Sequence, residues 1–458
     1  MGPSISIKRM NDMVESVLSP FSQFFRVTKA ATQRKVKFYR RVSSAPDYDL
    51  STKDVLFLVI DCLRADHLSP QYIRETTPFL DELDGLTTTS VSTAPWTFSS
   101  VPSILSGLYP HNHGAAYEDI LRNQDEGNPS NSIRQDVYIL PELLAGSGFD
   151  TRLITSITTA EIPLRGRFHS QSVHHNASAR TLVDELLTWW KSHEQSPRFG
   201  YVQFGDLHEP LQQPNSQPFG EIANIDGITR WRFGETTEPT EEFERYRRER
   251  IRLYDTILRR VDQELKRLFE QLEARGELDD TIIVITGDHG EEFWEREVFE
   301  RENFHDPRDI YGIGHGHALV PEVLNVPLII PNMDCKPPEL VSGVDITPTV
   351  LSELGLPETE LGDLDGVPLN DASSNRTLLA EEIAYGFDQQ TVITEEYQLI
   401  HSPHENKDVL IDLSQDMVID DDDIIESLLK HTATNRQFGE TLLIDSGTEK
   451  QLSDLGYK

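Results

Sequence analysis

VLFLVIDCLRADH, residues 55–67, begins with six apolar residues and turns polar at Asp61. A continuous apolar run that includes β-branched side chains predicts a strand buried on both faces of a sheet. Similar runs occur at residues 201–204, 282–285 and 326–330, and a helical stripe of apolar residues spans 257–272. Strands alternating with helices predict an α/β domain with a mostly parallel central sheet. Ligands bind such sheets beyond the C-terminal ends of the strands, where Asp61 lies.

The chain of 458 residues divides by composition into three parts. Residues 1–53 form a net basic N-terminal extension, and residues 54–370 carry the alternating strands and helices of the main α/β domain. Residues 371–458 predict a small C-terminal α+β subdomain with an acidic tail. Within the main α/β domain, residues 214–250 are rich in proline, glycine and charge, and predict a surface insertion.

The basic extension has two possible interpretations. Apolar side chains recur at helical spacing before a cluster of cations, at Met13, Val17, Phe21 and Phe24 and then at Arg34, Lys35, Lys37, Arg40 and Arg41. This pattern predicts either peripheral contact with an anionic membrane or a helix packed on the main α/β domain.

The overall charge is strongly acidic. Asp and Glu number 77 against 42 Lys and Arg, a formal net charge of −35. Such a surface repels nucleic acid, so we expect no nucleic-acid partner, and its scarcity of lysine is typical of halophilic proteins in concentrated salt. Two distant cysteines, together with no recognisable signal peptide or membrane span, predict a cytoplasmic protein.

Polar side chains follow three of the predicted strands. Asp61 follows the first, Asp206 and His208 follow another in FGDLHEP, and Asp288 and His289 follow a third in VITGDHGEE. Each residue alone could cap a helix. Together, at the ligand-binding edge of the sheet, they predict a site for a divalent cation.

Thr97 lies in APWTFSSVPSILSGLYPH, residues 94–111, just before a helix predicted over residues 99–108. The unpaired N–H groups of a helix N-terminus bind anions, and a metal-activated hydroxyl there could attack a tetrahedral anion. The alternative is that Thr97 only caps the helix.

The chain resembles the sulfatase family of the alkaline phosphatase superfamily. The resemblance runs from about residue 54 to residue 413 and rests on motifs in a fixed order: DVLFLVIDCLRADHLS, TFSSVPSILSGLYPHNHG, DLHEP, YDTILRRVDQELKRL, LDDTIIVITGDHGEEF, GIGHGHALVPEVLNVPLII and VDITPTVLSELGLP. It implies an alkaline phosphatase-like α/β sandwich with a mostly parallel sheet.

The resemblance also implies roles for individual residues. It makes Asp61, Asp288, His289 and Thr97 the ligands of a divalent cation (Ca, Mn, Mg or Zn), with Thr97 also the nucleophile. His208 and His315 would contact the transferred anion or protonate the leaving oxygen. Asp206 and His317 are predicted to bind substrate, and His317 competes with His315 for the catalytic role.

Several positions depart from the family pattern. Thr97 stands where members that use formylglycine have Cys or Ser, and Val101 stands where they have Arg. Cys62 replaces a second metal-binding Asp, which favours a single ion or, as a thiolate, zinc. Ser156 and Thr158 replace a lysine and a histidine. A threonine cannot mature to formylglycine, so that route is excluded.

We therefore expect a sulfatase-like, metal-dependent hydrolase that cleaves a small-molecule or glycan-linked sulfate or phosphate ester through Thr97. One alternative is a phosphodiesterase or head-group (phosphoryl) transferase acting on a glycan or lipid. The other is a non-catalytic glycan-binding or scaffold protein, which would not need to hold a stoichiometric cation.

Overall fold

The structure is a computed structural model that describes residue 32 and residues 34–116, 130–234 and 240–442. Its strands are β1 (Asp54–Ile60), β2 (Gly85–Val91), β3 (Ser130–Asn131), β4 (Asp150–Thr155), β5 (Ser170–Val173), β6 (Arg198–Phe204), β7 (Thr281–Gly287), β8 (Glu292–Phe293), β9 (Ile313–Gly314), β10 (Asn325–Pro331), β11 (Leu378–Glu381), β12 (Gln390–Ile393), β13 (Tyr397–Ser402), β14 (Lys407–Asp412), β15 (Met417–Ile419) and β16 (Thr441–Leu442). The α-helices are Thr97–Ser106, Pro110–His113, Leu140–Gly146, Thr158–Leu164, Ala179–Ser192, Glu241–Ala274, Glu297–Asn303, Pro321–Leu324, Ile346–Glu353 and Asp422–Leu429.

The central sheet has seven strands in the order β2-β10-β7-β1-β6-β4-β5. β1 is parallel to both of its neighbours, β6 and β7, and β4 is parallel to β5 and β6. β10 runs antiparallel between β2 and β7. The predicted mostly parallel α/β sheet is confirmed, and β1 lies in the middle of it.

β1 is buried on both faces because its side chains alternate between two cores. Val55, Phe57 and Val59 pack into one apolar cluster, and Leu56, Leu58 and Ile60 pack into the other. All six are 0% exposed. Burying each such side chain contributes about 1.5–3 kcal/mol, so this strand holds the two layers of the sandwich together.

The predicted surface insertion at residues 214–250 is wrong at its C-terminal end. The helix Glu241–Ala274 begins there, with Thr240 as its N-cap, whose side chain accepts a hydrogen bond from the N–H of Phe243. Phe243, Tyr246 and Arg250 lie on the buried face of this helix. Many charged residues lie between these positions, so the helical spacing of the buried residues was not recognised in the sequence.

A second sheet of five antiparallel strands, β11 to β15, follows the central sheet in sequence. Leu378, Ala380 and Ile393 pack against Leu319 and Leu324 of the larger part of the fold. The chain then returns to that larger part, where β16 pairs with β3. The appended sheet is as predicted, while the boundary after residue 370 remains a prediction.

Part of the basic N-terminal extension packs on the main α/β domain. Residues 34–42 are helical. Phe38 is buried and Arg41 binds the carboxylate of Glu142, so this end of the segment is anchored. The apolar positions Met13, Val17, Phe21 and Phe24 lie outside the described residues, and contact with a membrane remains a prediction. Among the helices that the structure describes, none has the length and apolar character needed to span a membrane.

Candidate active site

Thr97 is the first residue of the helix Thr97–Ser106, which begins two residues earlier than predicted. Trp96 is the N-cap and makes no side-chain capping bond. The Thr97 hydroxyl is completely buried and lies 3.2 Å from Asp61 Oδ2 and 3.2 Å from His289 Nε2. The cap interpretation of Thr97 is therefore wrong, because its hydroxyl faces the polar side chains at the strand ends.

The predicted ligands meet because β1 and β7 are neighbours in the sheet. Asp61 directly follows β1, and Asp288 and His289 directly follow β7. His289 Nε2 lies 3.7 Å from an oxygen of each carboxylate. Two ligand atoms of one ion lie about 3–4 Å apart when each is about 2.0–2.5 Å from it. Asp61, Asp288 and His289 thus have the spacing needed to share a cation, with Thr97 at its edge.

The charge balance of this group also suits a cation. Burial and the neighbouring Asp61 carboxylate raise the pKa of Asp288 to about 7. Burial opposes the charge of His289, but the two carboxylates outweigh it and raise the pKa of His289. A divalent ion would offset this buried negative charge.

The orientation of the His289 ring is set by the backbone. His289 Nδ1 lies 2.9 Å from the carbonyl oxygen of Gly290. A hydrogen bond donated there leaves Nε2 as the nitrogen that faces the two carboxylates and Thr97, the arrangement usual for a metal-binding histidine.

Gln203 supports Asp288 and was missed in the sequence. Its Nε2 donates to Asp288 Oδ2 at 2.7 Å, and the hydroxyl of Tyr201 donates to Gln203 Oε1 at 2.7 Å. All three side chains are buried. One sign of this role was visible in the sequence, a glutamine inside the apolar strand YVQF. A buried amide needs hydrogen-bond partners, so such a glutamine indicates polar groups nearby.

Cys62 lies beside the group in a left-handed conformation, with φ 61°. Its Sγ is 2.9 Å from Asp61 Oδ1 and 3.6 Å from His315 Nδ1. Burial, and then the charge of Asp61, raise the pKa of this thiol well above its ordinary value. Cys62 is therefore a thiol that donates to Asp61, and its thiolate form would need a nearby cation.

The two predicted catalytic histidines lie together near His289. The ring of His315 lies 4.4 Å from that of His289 and 5.1 Å from that of His208, between centroids. Burial, and then the charges of the other two imidazoles, lower the pKa of His315 well below its ordinary value. Glu291, which sequence reasoning missed, lies 3.0 Å from His315 Nδ1 and orients its ring.

The two residues predicted to bind substrate have other partners in the structure. Asp206 Oδ1 accepts a hydrogen bond from the N–H of Ala179 at the start of the helix Ala179–Ser192. His317 Nε2 lies 3.2 Å from Glu300 Oε2, in a buried acidic pair. These contacts position the surrounding chain, and the substrate roles of both residues stay predictions.

Comparison with known proteins supports the family that the motifs suggested. The family model described as Sulfatase matches residues 53–356. The low-salt glycan biosynthesis sulfotransferase Agl7 of Haloferax volcanii is 27% identical over 69% of this chain and 64% of its own length, and its source is consistent with a haloarchaeal origin. The N-acetylglucosamine-6-sulfatase of Capra hircus is 24% identical over 60% of this chain and 56% of its own length. The chain thus spans less than two thirds of either relative.

Solved structures show the same fold. The phosphonate monoester hydrolase SpPMH from Silicibacter pomeroyi superposes with a TM-score of 0.58 at 17% identity, covering 82% of this chain and 93% of that one. The family match covers residues 53–356, the part of the chain that contains the seven-stranded sheet and all but the final residue of the ordered motifs. The chain belongs to the sulfatase family.

Proposed function

We propose that this protein cleaves a sulfate or phosphate ester, with Thr97 as the nucleophile. The observation that carries the proposal is the position of the Thr97 hydroxyl, 3.2 Å from both Asp61 and His289 at the first turn of a helix. The N–H groups of that turn can hold the oxygens of a tetrahedral anion. The proposed nucleophile, the N–H groups that can bind an anion, and the charged side chains of Asp61 and His289 therefore lie at the same place.

Asp61, Asp288, His289 and Thr97 are the residues that would hold a divalent cation. Such an ion, when bound, would lower the pKa of the Thr97 hydroxyl and neutralise charge on the group being transferred. The hydrogen bond from Gln203 orients the carboxylate of Asp288. The mixed oxygen and nitrogen donors are compatible with Ca, Mn, Mg or Zn.

The imidazoles of His208 and His315 supply the proton transfers. His315 is neutral at pH 7 because its pKa is lowered, so it can accept the proton of the oxygen that attacks the Thr97-linked group. His208, beside it, is then the group that donates a proton to the leaving oxygen of the substrate. Glu291 positions His315 for this step.

The chemistry of threonine determines how the Thr97-linked group is released after the first product has left. A formylglycine hydrate has a second hydroxyl with which to expel sulfate, but a threonine ester does not. The Thr97-linked group must therefore be removed by attack at sulfur or phosphorus. Attack by water completes hydrolysis, and attack by an acceptor hydroxyl completes transfer.

We favour hydrolysis of a small-molecule or glycan-linked ester, since a sulfatase and a phosphonate monoester hydrolase are among the related proteins. Transfer to a glycan is the second candidate, because the Haloferax relative is described as a sulfotransferase. The net charge of −35 supports a further proposal, that the protein works in a salt-rich cytoplasm.

The test is a rate screen in high salt with aryl sulfate, aryl phosphate, phosphodiester and phosphonate ester substrates, each with Mn, Zn, Mg or Ca. Thr97→Val keeps the shape of the side chain and removes the hydroxyl, so kcat/KM for the cleaved substrate should fall by about 10³-fold or more. Thr97→Ser, the matched control, keeps the hydroxyl and should stay within about tenfold of the wild type.

Thr97→Val with wild-type turnover would refute the nucleophile. A wild-type protein that holds no stoichiometric cation and cleaves none of these esters, even with a glycan acceptor, would favour the scaffold alternative. Product analysis with and without the acceptor separates hydrolysis from transfer.

A further inference from the structure

A second group of buried ionisable side chains includes close chain neighbours of Glu291 and His315 in the candidate active site. Glu292 is in β8, Glu300 is in the helix Glu297–Asn303, and His317 follows β9. Their exposed fractions are 0%, 2% and 7%, respectively. One ligand atom from each lies within 4.8 Å of the other two.

Each carboxylate of this acidic pair is positioned through one oxygen. Glu292 Oε1 accepts a hydrogen bond from the N–H of Arg296 at 2.7 Å, and Glu300 Oε2 accepts one from the N–H of Gly312 at 2.8 Å. The other oxygens, Glu292 Oε2 and Glu300 Oε1, are buried and have no hydrogen-bond partner among the described residues. Backbone donors thus orient both groups and leave one oxygen of each available.

His317 completes the group. Its Nε2 lies 3.2 Å from Glu300 Oε2 and 3.7 Å from Glu292 Oε2. Neither of its ring nitrogens makes a hydrogen bond of regular geometry to any part of the chain that the structure describes. His317 Nε2 still forms an ion pair with Glu300, whereas Glu300 Oε1 and His317 Nδ1 are buried with neither a hydrogen bond nor an ion pair among the described residues. Buried polar atoms are normally paired, so these atoms indicate that the group has room for a ligand.

We propose that Glu292, Glu300 and His317 bind a second divalent transition-metal ion, such as Zn²⁺ or Mn²⁺. Once protons are displaced on metal binding, two carboxylates and a neutral imidazole carry a charge of −2, which such an ion neutralises. The distances from His317 Nε2 to the two carboxylates, 3.2 and 3.7 Å, fall within the range of about 3–4 Å that separates ligands about 2.0–2.5 Å from a shared ion. Mixed carboxylate and imidazole donors suit these metals better than the all-oxygen sites of Ca²⁺.

The position of this second site gives it a structural role. Glu291 orients His315, and its chain neighbour Glu292 is a proposed ligand. His317 lies two residues after His315. An ion held here would tie the segment after β7 to the segment after β9, and so fix the histidine that the proposed reaction uses. Its ligand set shares no residue with the group of Asp61, Thr97, Asp288 and His289, which we call the Thr97 group.

The experiment counts metal ions per chain. Full-length protein is stripped with a chelator, loaded with Mn²⁺ or Zn²⁺, freed of excess metal and measured by plasma mass spectrometry. We expect two ions per chain in the wild type, one in Glu300→Gln and one in Asp61→Asn. Glu297→Gln, in the same short helix and paired with Arg301, is the matched control and should retain two.

Calorimetric titration of the stripped wild type gives the same count without any variant, with an expected stoichiometry of two. Bound metal should also raise the melting temperature of Asp61→Asn but not that of the Asp61→Asn/Glu300→Gln double variant. Glu292→Gln serves in place of Glu300→Gln if the latter does not fold.

A wild type with one ion that Glu300→Gln retains would overturn the proposal, because the three groups would then simply share protons. A wild type with one ion that Glu300→Gln loses and Asp61→Asn retains would support the second site and refute the cation at Thr97. The two proposals therefore fail separately.

Discussion

Gln203→Leu should weaken metal binding at the Thr97 group without unfolding the protein. Gln203 Nε2 donates to the carboxylate of Asp288 at 2.7 Å inside the core. A hydrogen bond to a charged group contributes about 1.5–3 kcal/mol, and loss of such a supporting contact typically costs about 10- to 100-fold in metal affinity. Leucine fills similar space, so the loss should come from the amide rather than from a cavity.

The measurement is calorimetric titration of chelator-treated protein with Mn²⁺ in high salt. The Glu300→Gln background removes the second proposed ion, so that a single site is titrated. Tyr201→Phe is the control: it removes only the hydroxyl that orients the amide, and its Kd should rise less than about threefold. Gln203→Leu with a Kd within twofold of its parent would show that Asp288 needs no support from β6.

Three further outcomes follow from the packing. Glu142→Gln should lower the free energy of unfolding by about 3–5 kcal/mol in urea titrations, because it leaves two buried guanidinium groups without a counter-charge. Gly290→Ala should abolish metal binding, since its Cβ would lie 2.2 Å from the carbonyl oxygen of Glu322. Burial opposes the charge of His111, but its hydrogen bond to Glu381 prevails and raises the pKa of His111; the stability lost in His111→Gln should be greatest below pH 6.5 and shrink as the pH rises through the folded-state pKa.

Controls for these outcomes are available in the chain. Glu440→Gln, at an exposed glutamate, should leave the urea midpoint unchanged, and equal midpoints for it and Glu142→Gln would contradict the first outcome. Gly148→Ala lies in open space, so it should bind metal normally despite its strained backbone. A difference between the wild type and His111→Gln that does not change from pH 5 to pH 9 would contradict the third.

The order of strands and helices could be predicted because each element has its own local pattern of apolar and polar residues. A run such as residues 55–60 can be satisfied only by burial on both faces, and the structure confirms it at the centre of the sheet. The strand-end positions of Asp61, Asp288 and His289 were likewise visible, since polar residues that end buried strands must lie at the sheet edge. Glu241–Ala274 was partly missed because charged residues mask its apolar stripe.

The partners of those residues were not visible in the sequence. Gln203 and Glu291 act through contacts with residues far away in the chain, and no local pattern specifies which distant group a buried amide or carboxylate will meet. The same holds for Glu292, Glu300 and His317. The sequence predicts a role only for His317, as a possible substrate ligand, and no local pattern indicates that two glutamates lie beside it.

The amino-acid sequence by itself determined the family, the alternating elements and the residues capable of chemistry, because hydrophobic periodicity and motif spacing are local properties of the chain. Only the tertiary structure decided that the Thr97 hydroxyl faces Asp61 and His289 instead of capping its helix, and that His317 joins two glutamates instead of the Thr97 group. Which side chains share a buried, low-dielectric space depends on how strands distant in sequence pair, and that pairing is a property of the whole fold.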